Sequence, residues 1–270
     1  MRTKRSLLLI VAVLLTSAGC TRAPKPGEPI GREDVIVLAD ALGAAGAGIS
    51  GLRGSGGGEA VVAGRGAAVS FAFVYSDPGW LRVDVRPEVG GLGAAFSSLS
   101  VLDGQCLRSY FPGQGAEVRG CLSDLVEAAP DVDLAGLALG IPRLQWLRDL
   151  SDPRLSRRDG RMVLTGGLNG RRVTLTADGD PAALSEVELE LSPGGRTLRF
   201  TYSGRGRLTG EPLPRTIEIA VLDGRPAVEV TLEIKKARTV DRVARNEYEL
   251  EVPPGARSLT WRDLEAGRKP

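Results

Sequence analysis

Residues 184–204 read "LSEVELELSPGGRTLRFTYSG", and residues 213–238 read "LPRTIEIAVLDGRPAVEVTLEIKKAR". Large apolar side chains fall on every second position of these stretches. Val187, Leu189 and Leu191 share one face of an extended segment. So do Leu198, Phe200 and Tyr202, then Ile217, Ile219 and Val221, then Val228, Val230, Leu232 and Ile234. Glu, Arg, Thr and Lys occupy the alternate positions. Successive side chains of a strand point to opposite faces, so this pattern predicts antiparallel strands, apolar on one side and wet on the other.

The same period extends outward from that stretch. "AAVSFAFVYS" (67–76) and "WLRVDVRP" (80–87) read as strands joined by the turn signal "DPG". "AAFSSLSVLDG" (94–104) and "QCLRSYFPGQGAEVRGCL" (105–122) continue it. "RMVLTGGL" (161–168) and "RRVTLTAD" (171–178) flank Asn169-Gly170, a two-residue hairpin signal, and "NEYELEVP" (246–253) comes last. The expected total is about ten strands, a number at which sheets curl readily.

Helices are few. Val35, Leu38, Ala39 and Leu42 recur at helical spacing behind Glu33 and Asp34, predicting one amphipathic helix over 33–50. A second helical interval is expected at 123–150, with Ser123 as an N-cap candidate and short helices in "DLAGLALG" and "PRLQWLRDL". The predicted fold is mainly β with few helices (α+β). It is a single large antiparallel sheet curled into an unclosed half-barrel, covered by the N-terminal helix and the short helical insert. Its concave face is then a lined cavity. Phe71, Phe73, Leu189, Leu198, Phe200, Ile217, Ile219, Val230 and Leu232 are the candidate acyl-chain lining. The alternative for each is plain filled core. Sparse aromatics suit acyl chains better than sugars or nucleobases, which favour aromatic platforms.

The N-terminus has a different texture. Arg2, Lys4 and Arg5 precede an apolar run from Leu7 to Leu15, then the small residues Ser17, Ala18 and Gly19. This is the layout of a secretory signal; a membrane span would need roughly 20 apolar residues. Residues 1–19 are read as the signal peptide, 20–31 as a flexible tether rich in Pro and Gly, and 32–265 as one domain. Without the three signal cations the chain holds 32 basic against 33 acidic residues, which gives no support to nucleic-acid binding.

There are three cysteines and no histidine. The missing histidine removes Ser–His–Asp and Cys–His catalysis and His metal sites, so an enzyme is not expected, nor a cofactor or metal. With Cys20 set aside, Cys106 and Cys121 remain as a pair in a compartment where disulfides persist. A two-residue turn at Gly113-Gln114 makes Cys106 face Cys121 across the hairpin, within bridging range. Two buried free thiols are the alternative.

Other motifs are weak. "GSGGG" (54–58) lacks the Lys-Ser/Thr of a phosphate loop and reads as a flexible turn or kinked strand. Asp131 and Asp133 lack a third ligand at calcium-loop spacing and read as helix caps. Val89 and Leu92, in the Gly-rich loop "RPEVGGLGAA" (86–95), are candidate membrane-contact residues, with packing back onto the domain as the alternative.

Ala18, Gly19 and Cys20 resemble the lipobox of bacterial lipoproteins, with Ser17 where Leu is usual. The resemblance implies lipid attachment at Cys20: diacylglyceryl on the thiol, and an acyl chain such as palmitate on the amine freed by signal cleavage. Multiple chains anchor stably where one is marginal. Thr21, rather than Asp, implies the outer membrane, facing the periplasm. The order of features over about residues 33–262 is similar to that of lipoprotein carriers and receptors of the LolA/LolB type. That order is a helix, the strand segment "PGWLRVDV", a Gly-rich loop, an "LDG" turn, the "YFPGQGAEVRG" hairpin, short helices and a long strand series. The resemblance implies an unclosed barrel that binds acyl chains without covalent chemistry, with Leu92 near a membrane-inserting tip and Arg82 in a segment that supplies a cavity Arg. The partners it implies are acyl chains of lipoproteins or other lipids, the membrane through the Cys20 anchor and a periplasmic carrier protein. The alternative function is a structural or envelope-assembly lipoprotein with a filled core that binds a protein partner.

Overall fold

The computed structural model describes residues 28–46, 48–62, 65–88, 97–125, 132–141, 143–178, 183–191, 195–204, 206–207, 212–222, 226–260 and 263. Cys20, Val89, Leu92, Asp131 and most of the tether lie outside the described residues.

The described chain opens with β1 (Glu28–Pro29), helix α1 (Arg32–Gly43) and a 3₁₀ turn, Ala44–Gly46. Six strands follow: β2 (Gly51–Val62), β3 (Arg65–Ser76), β4 (Trp80–Pro87), β5 (Ser98–Asp103), β6 (Cys106–Phe111) and β7 (Ala116–Cys121). The helical insert holds α2 (Leu122–Leu125), α3 (Leu134–Leu137) and a 3₁₀ turn at Gln145–Asp149. Then come β8 (Ser151–Arg158), β9 (Arg161–Leu168), β10 (Arg171–Asp178), β11 (Ala183–Glu190) and β12 (Thr197–Ser203). A small ribbon, β13 (Gly206–Arg207) with β14 (Pro212–Leu213), precedes β15 (Thr216–Leu222) and β16 (Pro226–Thr239). Helix α4 (Arg245–Tyr248) and β17 (Arg257–Thr260) close the described chain.

One sheet takes fifteen of these strands, in the order β1-β8-β9-β10-β11-β12-β15-β16-β2-β3-β4-β5-β6-β7-β17. Every pairing is antiparallel except β17 on β7, which is parallel. The result is the open antiparallel sheet expected, with α1 and the helical insert as its cover. The strand count exceeds the expected ten for local reasons. β2 is glycine-rich and β8 is charged, so neither alternates clearly, and the edge strands β1 and β17 are only two and four residues long.

The period-two reading holds across the sheet. Phe200 faces Val187 on one side and Ile219 on the other, and Ile219 faces Val230. Tyr202 faces Ile217, which faces Leu232. The Asn169-Gly170 turn has both residues at positive φ, 52° and 76°, as a tight hairpin requires.

The apolar face meets the helices. Val35, Ala39 and Leu42 of α1 are buried at the predicted spacing, and α1 packs on the Gln145–Asp149 turn. Ala135, Leu137, Leu139, Ile141, Leu144 and Leu147 of the insert join the same core as Phe71, Phe73, Leu175 and Phe200. The Tyr202 hydroxyl on β12 donates to the Leu137 carbonyl oxygen at 2.7 Å, tying the insert to the sheet. Ser123 is not the cap of α2. It lies inside the first turn, and the Asp124 carboxylate accepts from the Cys121 N–H at 2.7 Å. Asp133 does cap α3, its Oδ1 accepting from the Gly136 N–H at 2.9 Å.

"GSGGG" is the strand of its two readings, not the turn, and it is no phosphate loop. It is the middle of β2, paired on one side with β16 and on the other with β3. A methyl on Gly54 would stand 2.5 Å from the Phe73 ring, and one on Gly56 would stand 2.7 Å from the Phe71 ring and meet the Glu233 carbonyl oxygen. Glycine here admits two aromatic rings and a bulged neighbour strand, whose register shifts between Ile234 and Lys236.

The other face of β2–β7 carries its own cover. Arg53 pairs with Glu247, and Trp80 stacks on Tyr248 with ring centroids 4.9 Å apart. Arg82 points to this face, not into the concave side. It holds Asp84 at 2.9 Å and donates to the carbonyl oxygens of Glu247 and Glu249. It thus straps the C-terminal segment to the sheet, which corrects the cavity role implied for it. Strand alternation decides this, because Leu81 and Val83 pack toward the core.

On the same face Glu117 is buried between two arginines. Arg108 reaches its Oε1 at 2.7 Å and Arg119 its Oε2 at 2.6 Å. Burial pushes the Glu117 carboxyl up, but the hydrogen bonds from Arg119 and Arg108 outweigh it and hold the pKa below its usual 4.5. A depressed carboxylate contributes stability above its unfolded pKa and loses it as pH falls through the folded value. Glu117→Gln is therefore expected to cost about 1–3 kcal/mol at neutral pH and to flatten the acid side of the stability profile. Urea titrations at neutral and acidic pH measure both, and an unchanged acid limb refutes the assignment.

Candidate binding site

Cys106 and Cys121 are directly opposite on β6 and β7 and are joined as a disulfide, Cα to Cα 3.9 Å. The expected register is observed, although the turn is a 3₁₀ turn over Pro112–Gln114 with Gly115 left-handed at φ 56°.

The nine candidate lining residues all lie on the core face of one sheet, but they divide into two groups. Phe71, Phe73, Leu189, Phe200 and Ile217 are buried in the packed core under the helices. Leu198, Ile219, Val230 and Leu232 are half-buried. These four sit side by side: Leu198 faces Val221, which faces Val228, and Ile219 faces Val230, which faces Ala60. Val221, Val228 and Ala60 are half-buried too. The helical cover thus gives out toward this end of β12, β15, β16 and β2 and leaves an apolar strip in contact with water.

Two hollows among the described residues are large enough for a ligand, and none of the nine residues lines either. One is a trough of about 1610 Å³ on the polar face of β8–β12, with Thr174, Thr176, Glu186, Glu188, Arg154 and Arg161 among its walls. The other, about 580 Å³, opens where the Asp77–Gly79 turn and Gly104 meet the helical insert. Asp77, Asp133, Arg143, Gln145, Trp146 and Asp149 line it. It lies at the far end of β3 from the apolar strip, since β3 runs from Ala67 at the strip to Tyr75 beneath the cleft.

This second cleft was not anticipated. Arg143 bonds the Ile49 carbonyl oxygen at 3.2 Å and Asp77 at 3.2 Å. Burial raises the Asp133 carboxyl, with the Gly136 N–H and Arg143 pulling the other way. Burial, with Asp133 next, holds the Tyr75 phenol up at about 12. Its hydroxyl has no hydrogen bond of good geometry, although Arg143 is near enough to oppose the shift. Sequence signals for the cleft were faint. Asp133 is read as a cap, which it is, and Trp146 as part of a short helix.

Among the described residues no group of three or more His, Cys, Asp or Glu could hold a metal ion, and no helix is long and apolar enough to cross a membrane. No protein-family model matches the chain, and no curated protein matches it. Solved structures do match. A DUF1329 family protein from Desulfovibrio piger aligns at TM-score 0.56 and 11% identity, over 82% of this chain and 98% of its own. A LolA superfamily protein from Nitrosomonas europaea aligns at 0.51 and 15%, over 82% and 98%. A candidate outer membrane lipoprotein-sorting protein domain from Vibrio parahaemolyticus aligns at 0.57 and 10%, over 81% and 97%. At such identities the likeness defines a fold. This chain has the open, helix-covered antiparallel sheet seen in LolA-superfamily and lipoprotein-sorting structures.

Proposed function

We propose that this protein is an acyl-chain-binding lipoprotein, anchored through Cys20 to the outer membrane and facing the periplasm. It receives or moves lipoproteins or other lipids there and does no covalent chemistry. The observation that carries this reading is the half-buried strip of Leu198, Ile219, Val230 and Leu232, an apolar floor continuous with the core and left open by the helices. Each acyl methylene buried there contributes about 0.8 kcal/mol. Val89 and Leu92 serve as the membrane-contact loop, and a periplasmic carrier is the natural source of cargo. The fold shared with lipoprotein-sorting proteins supports the reading.

The test is binding of a fluorescent fatty acid to delipidated protein, with mass spectrometry of the native protein for co-purifying lipid. The double variant Ile219→Asp/Val230→Asp is expected to weaken binding by at least about tenfold, because a charged floor cannot accept methylenes. No retained lipid and no probe binding by the native chain would refute the proposal.

A second reading has its own observation. Five of the nine candidate lining residues are packed core under the insert. A filled barrel suits a structural or envelope-assembly lipoprotein that binds a protein partner on its surface. Failure of acyl binding in the same experiment selects it.

A further inference from the structure

The edge strand β8 and the turn that follows it carry a surplus of positive charge. Between Ser151 and Arg161 the chain holds Arg154, Arg157, Arg158 and Arg161 against Asp152 and Asp159. All four arginines are exposed. Arg161 is held by Asp178 at 2.8 Å, and Arg158 lies 3.9 Å from Asp159. Both pairs stand in the open, where ion pairs contribute little. Arg157 and Arg158 are the last residues of β8, next to the turn at Asp159-Gly160.

The N-terminal segment meets this same edge. β1 runs antiparallel to β8, with Glu28 opposite Leu155 and Pro29 opposite Arg154. The Ile30 N–H donates to the Pro153 carbonyl oxygen at 3.1 Å. Toward its N-terminal end β1 therefore points at Arg157, Arg158 and the hairpin turn. Cys20 lies eight residues before Glu28. Extended chain of that length reaches at most about 29 Å. It adds Arg22 and Lys25, of the same sign. Together, residues 20–29 and 151–161 hold six basic residues against three acidic ones. The rest of the chain beyond Gly19 holds 26 basic against 30 acidic and is negative. Positive charge thus gathers at the edge from which the anchored end departs.

We infer that the β8–β9 hairpin docks on an anionic lipid surface and so sets how the anchored domain sits on its membrane. This rests on the Cys20 anchor of the reading above and adds a second, electrostatic contact to it. Basic residues are attracted to an anionic leaflet within a screening length of about 8 Å at physiological salt. A short tether on the same edge keeps the hairpin within reach of that zone.

The test is co-sedimentation with lipid vesicles of the chain from residue 20 carrying Cys20→Ser, which has no anchor. At about 0.05 M salt it is expected to bind vesicles of phosphatidylglycerol and phosphatidylcholine in equal parts at least about tenfold more strongly than phosphatidylcholine alone, and about 0.5 M salt should abolish the difference. Arg157→Glu/Arg158→Glu should weaken binding to the mixed vesicles at least about tenfold, and the milder Arg157→Gln/Arg158→Gln at least about threefold. Lys235→Glu/Lys236→Glu makes the same change in charge at exposed positions of β16 and should weaken it less than about threefold. No preference for the anionic vesicles, a preference that survives high salt, or equal losses from the two reversed pairs overturns the inference. Failure of fatty-acid binding by the same protein refutes the acyl reading and not this one, because the vesicle preference uses neither the apolar strip nor the anchor.

Discussion

Phe71→Ala is expected to lower the unfolding free energy by about 3–5 kcal/mol, measured by urea denaturation at neutral pH. Phe71 is 5% exposed, stacks on Phe73 with centroids 6.2 Å apart, and lies over the glycine run of β2. Glycine there supplies no side chain, so the ring does the covering for two strands. Removing it strips the core side of both β3 and β2, and nothing on β2 can fill the space because Gly54 and Gly56 have no Cβ. The converse change, Gly56→Ala, also destabilises, because its methyl would stand 2.7 Å from the Phe71 ring and meet the Glu233 carbonyl oxygen. A Phe71→Ala loss below about 1 kcal/mol would mean that the ring is not part of a packed core.

Removing the disulfide is expected to cost about 3 kcal/mol, read as the difference in denaturation midpoint between native protein and the Cys106→Ser/Cys121→Ser variant. The bridge closes a loop of sequence separation 15, and cross-links over such loops restrict the unfolded chain by about that amount. It also clamps β6 to β7, and β7 carries the parallel edge strand β17. Reduced native protein should match the double serine variant. A variant as stable as the oxidised protein would show that the β6–β7 hairpin holds its register without the bond.

Much of the fold is legible in the chain because alternation is a local property. Val187, Phe200, Ile219 and Val230 announce their face by their neighbours alone, and the sheet then aligns them in one row. Asn169-Gly170 names its own turn. Cys106 and Cys121 could be matched by counting outward from the hairpin tip, and the count survived a different turn geometry because that turn still makes Phe111 face Ala116. β2 was half legible. Its glycines allow a flexible turn or a kinked strand, and the rings of Phe71 and Phe73 on the next strand select the strand. The direction of Arg82 was equally hidden until β4 showed which of its faces meets the core.

The candidate sites divide the same way. The apolar strip was visible residue by residue, but not which part of it the helices leave open. Leu198 and Phe200 are alike in sequence pattern, and they differ in burial because the insert reaches one end of the sheet and not the other. The cleft could not be read at all. Tyr75 and Asp77 come from the end of one hairpin, while Asp133, Arg143 and Trp146 come from the insert. By itself the sequence determined the alternating strands, their apolar face and the cysteine pairing, since each follows from spacing along the chain; it did not determine β2, β8 or the edge strands, and it read a strand at 246–253 where the chain forms α4. Only the tertiary structure decided which apolar residues stay open and which polar ones gather at one cleft, because both depend on how distant segments cover one another.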